Sequence, residues 1–101
     1  MKQFLIRYRH TEGTTEDWHR EIGRFIAAID ADPALKGKIG YRCLKARDGA
    51  DYFHIATVRE DSGQKALQER DFFKHYTAET RRISGGTVEV TPLETVAQTA
   101  D

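Results

Sequence analysis

The sequence predicts an α+β domain in which two helices cover one face of a four-stranded antiparallel sheet. Two observations support this: several stretches alternate apolar and polar residues with a period of two, and two longer stretches carry apolar residues at helical spacing. The chain has 101 residues and shows no internal repeat or linker. We therefore expect a single domain that spans residues 1–101.

The first strand and the first helix follow one another directly. The stretch QFLIRYR alternates so that Phe4, Ile6 and Tyr8 share one face, which we expect to lie against the helices. In TTEDWHREIGRFIAAIDADP, Thr14 is a suitable N-cap and apolar residues follow at helical spacing. Asp32 precedes a proline, which disfavours helical geometry, so we expect the helix to end there.

The middle of the chain, KIGYRCLKARDGADYFHIATV, predicts two strands joined by a tight Asp-Gly turn. We expect Tyr41 and Cys43 of the first of these strands to face the helices, together with Phe53 of the second. His54 then falls on the opposite face of the sheet with Tyr52, unless a bulge reverses the alternation.

The stretch DSGQKALQERDFFKHYTAETRRISGG predicts the second helix, with Asp61 and Ser62 as cap-forming residues and a stop at the glycine pair 85–86. A break near Arg70 would let both halves face the sheet. TVEVTPLETVA supplies the fourth strand, and Pro92 indicates a sheet edge or a bulge. The resulting βαββαβ order is the ferredoxin-like arrangement.

Composition limits the partners that the chain can have. Lys plus Arg and Asp plus Glu both number 16, so no basic surface is expected to attract nucleic acid or an anionic membrane. No apolar run approaches the roughly 20 residues of a membrane span, and the N-terminus lacks a secretory signal pattern. We therefore expect a soluble cytoplasmic protein. Cys43 is the only cysteine, so no intrachain disulfide can form.

The face of the sheet turned away from the helices needs a cover. On the predicted alternation it carries five apolar residues among charged ones: Leu5, Leu44, Tyr52, Ala56 and Leu93. Such a surface is too apolar to be left in water, and a second copy packed sheet to sheet would bury it. We therefore expect a homodimer.

The element order, the block YFHIATVREDSGQKALQERDFFKHYTAET and the closing GGTVEVTPLETVA resemble the antibiotic biosynthesis monooxygenase domain family. The resemblance covers nearly the whole chain and implies a dimeric α+β barrel. Members of this family include enzymes that oxidise polycyclic phenols or quinols with O2 and without metal or flavin, haem-degrading enzymes, and proteins without known activity. The resemblance thus implies a cofactor-independent monooxygenase of a phenolic or quinol-type molecule, with a non-catalytic dimeric barrel for small-molecule binding or stress as the alternative.

The resemblance does not extend to haem degradation. The haem-degrading members resemble this chain around DFFK, but they place the iron-ligating histidine where this chain has Thr77. The asparagine that they carry at the end of the first strand corresponds to Tyr8 here, and Trp18 lies in the first helix rather than the second. We expect no haem, no other cofactor and no metal.

Tyr76, Tyr8 and His54 are the candidate catalytic residues. Hydroxyl and imidazole groups can hydrogen-bond a phenol or accept its proton, and His54 has an unperturbed pKa of about 6.5, which suits a general base. An apolar, aromatic cleft between helices and sheet would hold the substrate. The candidate substrate-binding residues are Trp18, Phe25, Tyr41, Phe53 and Phe73. Core packing is the alternative role for all of these side chains.

Overall fold

The computed structural model describes residues 1–100; Asp101, the last residue of the predicted domain, lies outside the described residues. The chain forms four strands and three helices in the predicted βαββαβ order, with the second helix in two parts. The elements are β1 (Lys2–Arg9), α1 (Thr15–Ala31), β2 (Ile39–Lys45), β3 (Asp51–Val58), α2 (Asp61–Glu69), α3 (Asp71–Ile83) and β4 (Glu89–Leu93).

The sheet is fully antiparallel and has the strand order β2-β3-β1-β4. The helices pack on one face, where they share a continuous apolar core with the sheet. β4 is an edge strand, which confirms the prediction from Pro92. Within residues 1–100, no helix combines the length and the apolar character needed to cross a membrane.

The ends of α1 follow the sequence signals. The Thr14 Oγ1 accepts a hydrogen bond from the Asp17 backbone N–H at 3.1 Å, and the helix stops at Asp32 as expected. The predicted break between α2 and α3 falls at Arg70, whose backbone is extended. The Arg70 guanidinium donates to the Asp32 carboxylate at 2.7 Å, so the break is tied to the end of α1.

The break in the second helix sets which side chains reach the sheet. Because the chain is extended for one residue there, Leu67 of α2 and Tyr76 of α3 are both buried on the same side. On α3, Tyr76, Thr80 and Ile83 are buried while His75 is exposed. One detail differs: α2 is preceded by Glu60, and no side chain caps it.

The predicted orientation of β3 was wrong. Tyr52 pairs with Tyr8, and His54 pairs with Cys43, and residues directly opposite one another in an antiparallel pair share a face. His54 and Tyr52 therefore face the helices and Phe53 faces away from them. The physical reason is the register, in which Cys43 lies opposite His54 and Lys45 opposite Tyr52.

This register changes which residues of β3 lie on the outward face of the sheet, the face turned away from the helices. The Phe53 ring lies there, with the Arg7 guanidinium 5.5 Å from its centroid. The apolar residues whose alternation places them on this face are Leu5, Leu44, Phe53, Ile55 and Leu93. The face thus keeps five apolar side chains, although Phe53 and Ile55 replace the expected Tyr52 and Ala56.

Gly63 allows α2 to approach β2 closely, and replacing it tests this packing. A Cβ at Gly63 would lie 2.7 Å from the Lys38 Cβ and 3.4 Å from the Ile39 Cγ1. We predict that Gly63→Ala lowers the free energy of unfolding by about 1–3 kcal/mol in urea denaturation. Gly23→Ala in α1 is the matched control, because its Cβ would meet nothing within 4 Å; it should stabilise by roughly 0.5–1 kcal/mol. Equal effects of the two substitutions would contradict the packing described.

Candidate functional site

A cleft of about 330 Å³ opens between the sheet and the α2–α3 face. Apolar side chains from both layers form most of its wall, including Phe4, Ile6, Leu67, Phe73 and Val90. Such a cleft has the size and lining of a small-molecule site. It lies between the sheet and α2 and α3, and no residue of α1, which the prediction also placed in its wall, lines it.

The polar groups of the cleft differ between its two ends. At the buried end, Tyr76 and His54 are 3% and 1% exposed. At the open end lie side chains that water reaches: Gln64, Gln68, Thr77 and Arg81. Among the described residues, no Asp or Glu lines the cleft, and Arg81 is its only Lys or Arg. The cleft therefore suits a neutral or anionic ligand better than a cation.

His54 is the centre of a buried hydrogen-bond network. Its Nε2 lies 2.9 Å from the Tyr8 Oη, and its Nδ1 lies 3.3 Å from the Tyr76 Oη. The Cys43 Sγ is 3.6 Å from the same Nδ1. The Trp18 Nε1–H donates to the Tyr8 Oη at 2.8 Å. Side chains of β1, β2 and α3 thus contact the imidazole of β3, and Trp18 of α1 joins the network through Tyr8.

Aromatic stacking holds the rings of this network in place. Phe25 stacks on Tyr76 with ring centroids 3.8 Å apart and planes within 1° of parallel. Trp18 stacks at 5.7 Å from Tyr76, and Tyr8 stacks on Tyr52 at 5.1 Å. Because each ring is packed against another, the hydroxyls at their ends have little freedom to leave their partners.

Burial keeps the network uncharged at neutral pH. It lowers the pKa of His54 from 6.5 to about 4, because the imidazolium would lose its hydration in the core. Burial likewise raises the pKa of Tyr8 and of Tyr76, and raises that of Cys43 to about 11. The imidazole is therefore neutral, and in the unliganded protein it is a weak base.

The structure brings some of the predicted site residues together and separates others. Tyr76, His54, Tyr41 and Phe73 line the cleft. The remaining candidates do not: Tyr8 lies behind His54, Trp18 and Phe25 lie behind Tyr76, and Phe53 is on the other face of the sheet. The prediction that Trp18, Phe25 and Phe53 form the wall of the cleft was therefore wrong. Trp18 and Phe25 instead stack on Tyr76, which is one of the residues that line the cleft.

Sequence reasoning missed the polar residues at the open end of the cleft. Arg81 follows Thr77 by four residues, and Gln68 follows Gln64 by four, so each pair shares one helix face. This spacing was available in the sequence. It would have indicated that α2 and α3 each present a polar pair beside their apolar stripe.

The two residues relevant to haem binding point in different directions. His75 is exposed, and its Nε2 lies 3.0 Å from the Glu21 Oε1 of α1, away from the cleft. Thr77 does line the cleft, but its hydroxyl donates to the Lys74 carbonyl at 3.0 Å. Within residues 1–100, no group of three His, Cys, Asp or Glu side chains is placed to hold a metal ion.

The chain was compared with known proteins. No protein-family model matches it, and no curated protein does. Solved structures do share its fold. A variant of SnoaB, a cofactor-independent oxygenase from Streptomyces nogalater, superposes with a TM-score of 0.75 at 19% identity, covering 99% of this chain and 97% of that one.

Two further structures are provisionally described as antibiotic biosynthesis monooxygenases. One, from Caulobacter crescentus, has a TM-score of 0.77 at 12% identity and covers 95% of this chain and 90% of its own. The other, from Nitrosomonas europaea, has a TM-score of 0.73 at 9% identity and covers 96% and 100%. The chain therefore has the fold of the antibiotic biosynthesis monooxygenase structures, and the resemblance drawn from its sequence is confirmed at the level of the fold.

The low pKa of His54 gives the protein a pH-dependent stability. Between about pH 6.5 and pH 4 the unfolded chain binds a proton at this imidazole that the folded chain does not. Stability from this residue is therefore present above pH 6.5 and lost as the pH falls toward 4, by about 3 kcal/mol in total. We predict that His54→Gln removes this part of the pH dependence in urea unfolding, and that His75→Gln, at an exposed position, keeps it. An unchanged pH dependence in His54→Gln would show that the imidazole is not buried in its neutral form.

Proposed function

We propose that this protein is a cofactor-independent monooxygenase that acts in the cytoplasm on a phenolic or quinol-type aromatic molecule. One observation supports this proposal above the others: an apolar cleft is lined by Tyr76 and His54, whose hydroxyl and imidazole lie 3.3 Å apart in a buried, neutral network. An aromatic ring would lie between the apolar walls, and its oxygen would meet the buried pair of Tyr76 and His54.

The proposed chemistry depends on the charge of the substrate oxygen. A phenolate gives up an electron to O2 much more readily than the neutral phenol does, so the site must favour the anion. A hydroxyl that donates to the phenolate oxygen stabilises this charge without itself being charged. Tyr76 has this role in the proposal, and the buried setting strengthens its hydrogen bond because water does not compete.

His54 takes the role of a hydrogen-bond partner rather than that of a strong base. With a pKa of about 4, its imidazole is too weak a base to hold the proton of an ordinary phenol. The phenol would therefore lose its proton to solvent on entering, or would bind as the anion already present in solution. His54 is therefore not the general base that the sequence led us to expect. In the proposal it orients Tyr76, and Tyr8 orients His54.

A non-catalytic binding barrel is the second candidate function. The observation that favours it is the close stacking of Phe25 on Tyr76, which is typical of a packed core. In this case the cleft would bind an aromatic ligand without turnover. The two functions differ in whether O2 is consumed.

Oxygen consumption tests the proposed enzyme directly. We predict O2 uptake with at least one member of a panel of quinols and polycyclic phenols, unchanged by chelators and by removal of flavin. Tyr76→Phe should lower the rate at least tenfold while lowering the free energy of unfolding by only about 1–3 kcal/mol, the cost of leaving the His54 Nδ1 without its hydroxyl partner. Measurements would use an oxygen electrode and thermal melts.

His75→Ala is the control for this experiment, because the residue is exposed on the same helix and lies outside the cleft. It should leave O2 uptake unchanged. Equal ligand binding and equal O2 uptake in wild type and Tyr76→Phe would make the tyrosine a core residue. If no member of the panel is oxidised although several bind, the non-catalytic barrel is the better account.

The proposal also includes a homodimer that covers the outward face of the sheet. Leu44 and Leu93 are 39% and 40% exposed on that face in the single chain, and a second copy would remove them from water. We predict about twice the chain mass by light scattering at micromolar concentration. Leu93→Asp should weaken the dimer by burying a charge in it, whereas Ala27→Asp, at an exposed site on α1, should not. A monomeric wild type would contradict the prediction.

A further inference from the structure

The hydroxyl of Tyr8 has two partners, and their chemistry fixes the direction of both hydrogen bonds. Tyr8 is 1% exposed, so its oxygen and its proton both need partners within the protein. The Trp18 indole N–H is a donor only, and it reaches the Tyr8 Oη at 2.8 Å. The Tyr8 oxygen therefore accepts from Trp18, and its own proton must go to another acceptor.

The acceptor for the Tyr8 proton is the Nε2 of His54, at 2.9 Å. If this nitrogen carried a proton, Trp18 and His54 would both donate to the Tyr8 oxygen. The Tyr8 proton would then have no acceptor among the described residues, at a cost of about 1–3 kcal/mol. Since the imidazole is neutral and has a single proton, that proton belongs on Nδ1.

The Nδ1 proton determines what the cleft offers to a ligand. Nδ1 lies 3.3 Å from the Tyr76 Oη. The Tyr76 oxygen therefore accepts a hydrogen bond from the Nδ1–H, and the Tyr76 O–H is free to donate to another group. Within the protein the remaining neighbour is the Cys43 sulfur, which is a weak acceptor. With the opposite tautomer, Nδ1 would accept a hydrogen bond from the Tyr76 O–H. The Tyr76 hydroxyl would then offer a ligand only the lone pairs of its oxygen.

We propose that Trp18 and Tyr8 are positioning residues that fix the tautomer of His54 and thereby turn the Tyr76 hydroxyl into a hydrogen-bond donor, so that the cleft selects phenolate oxygen over a neutral phenol hydroxyl. The ligand class rests on the proposed function; the tautomer does not. The other titratable groups that face His54 are Tyr41 and Cys43 of β2 and Tyr52 of β3, and none is charged at neutral pH. Arg81 at the open end of the cleft adds an attraction for an anion.

The tautomer can be read by NMR on protein with ¹⁵N-labelled histidine, from the two-bond correlations of the His54 ring at neutral pH. We expect the Nδ1–H form in wild type, and a shift of the population toward Nε2–H in Tyr8→Phe and, to a smaller extent, in Trp18→Phe. Tyr52→Phe is the matched control: it also removes the hydroxyl of a buried tyrosine, but that hydroxyl bonds to His19 at 2.7 Å rather than to His54. An Nε2–H tautomer in wild type would overturn the proposal.

The preference of the cleft for a phenolate over a neutral phenol can be measured with 4-nitrophenol, whose anion is yellow and whose neutral form is not. In wild type the bound dye should ionise at a pH at least one unit below that of the free dye, which corresponds to a tenfold preference for the anion. This preference should vanish in Tyr76→Phe and fall at least threefold in Tyr8→Phe, but should persist in Tyr52→Phe. Bound dye that stays neutral in wild type, or dye that does not bind, would contradict the donor role.

These two readouts separate this inference from the proposed enzyme. A protein with the Nδ1–H tautomer and a bound nitrophenolate, but without O2 uptake on the quinol panel, would keep the inference and refute the oxygenase. Oxygen uptake that is equal in wild type and Tyr8→Phe, together with an unchanged His54 tautomer, would keep the oxygenase and refute the positioning role.

Discussion

The site depends on the burial of one neutral imidazole. His54 lies between the Tyr8 and Tyr76 hydroxyls, at 2.9 and 3.3 Å, in a place where its charged form is strongly disfavoured. A buried polar group without a partner loses more free energy from its lost hydration than an ordinary hydrogen bond contributes to stability. Sheet register, helix phase and aromatic stacking must therefore all bring a partner to this ring. They do so from β1 and α3, with α1 behind them.

The break between α2 and α3 is the second requirement, and it links the fold to the cleft. A continuous helix could not place Leu67 and Phe73 on one side, because six residues rotate a helix by about 240°. The extended Arg70, held by Asp32, resets this rotation. Apolar residues of both helices then face the sheet, and the space between them and β4 remains open as the cleft.

Much of the fold could be predicted from the sequence, because alternation, capping residues and glycine stops act locally. The error in β3 came from a residue pattern that fits either face, since Tyr52, His54 and Ala56 alternate with Phe53, Ile55 and Thr57. Only the pairing with β2 decides between the two faces, and it places His54 opposite Cys43. The cleft was harder to predict, because whether Trp18 and Phe25 form its wall or stand behind Tyr76 depends on packing between distant elements. The homodimer, the substrate and the catalytic roles stay predictions.

His54 is buried, neutral and hydrogen-bonded at both ring nitrogens, and an NMR titration of its ring resonances can check all three properties together. We predict that these resonances do not titrate between about pH 8 and pH 5, where an unperturbed histidine would, and that their protonation step lies near pH 4. A titration midpoint at or above about pH 6 would show that the ring is charged or solvated in the folded chain. In that case the network, the donor role of Tyr76 and the proposed preference for a phenolate would all lose their basis.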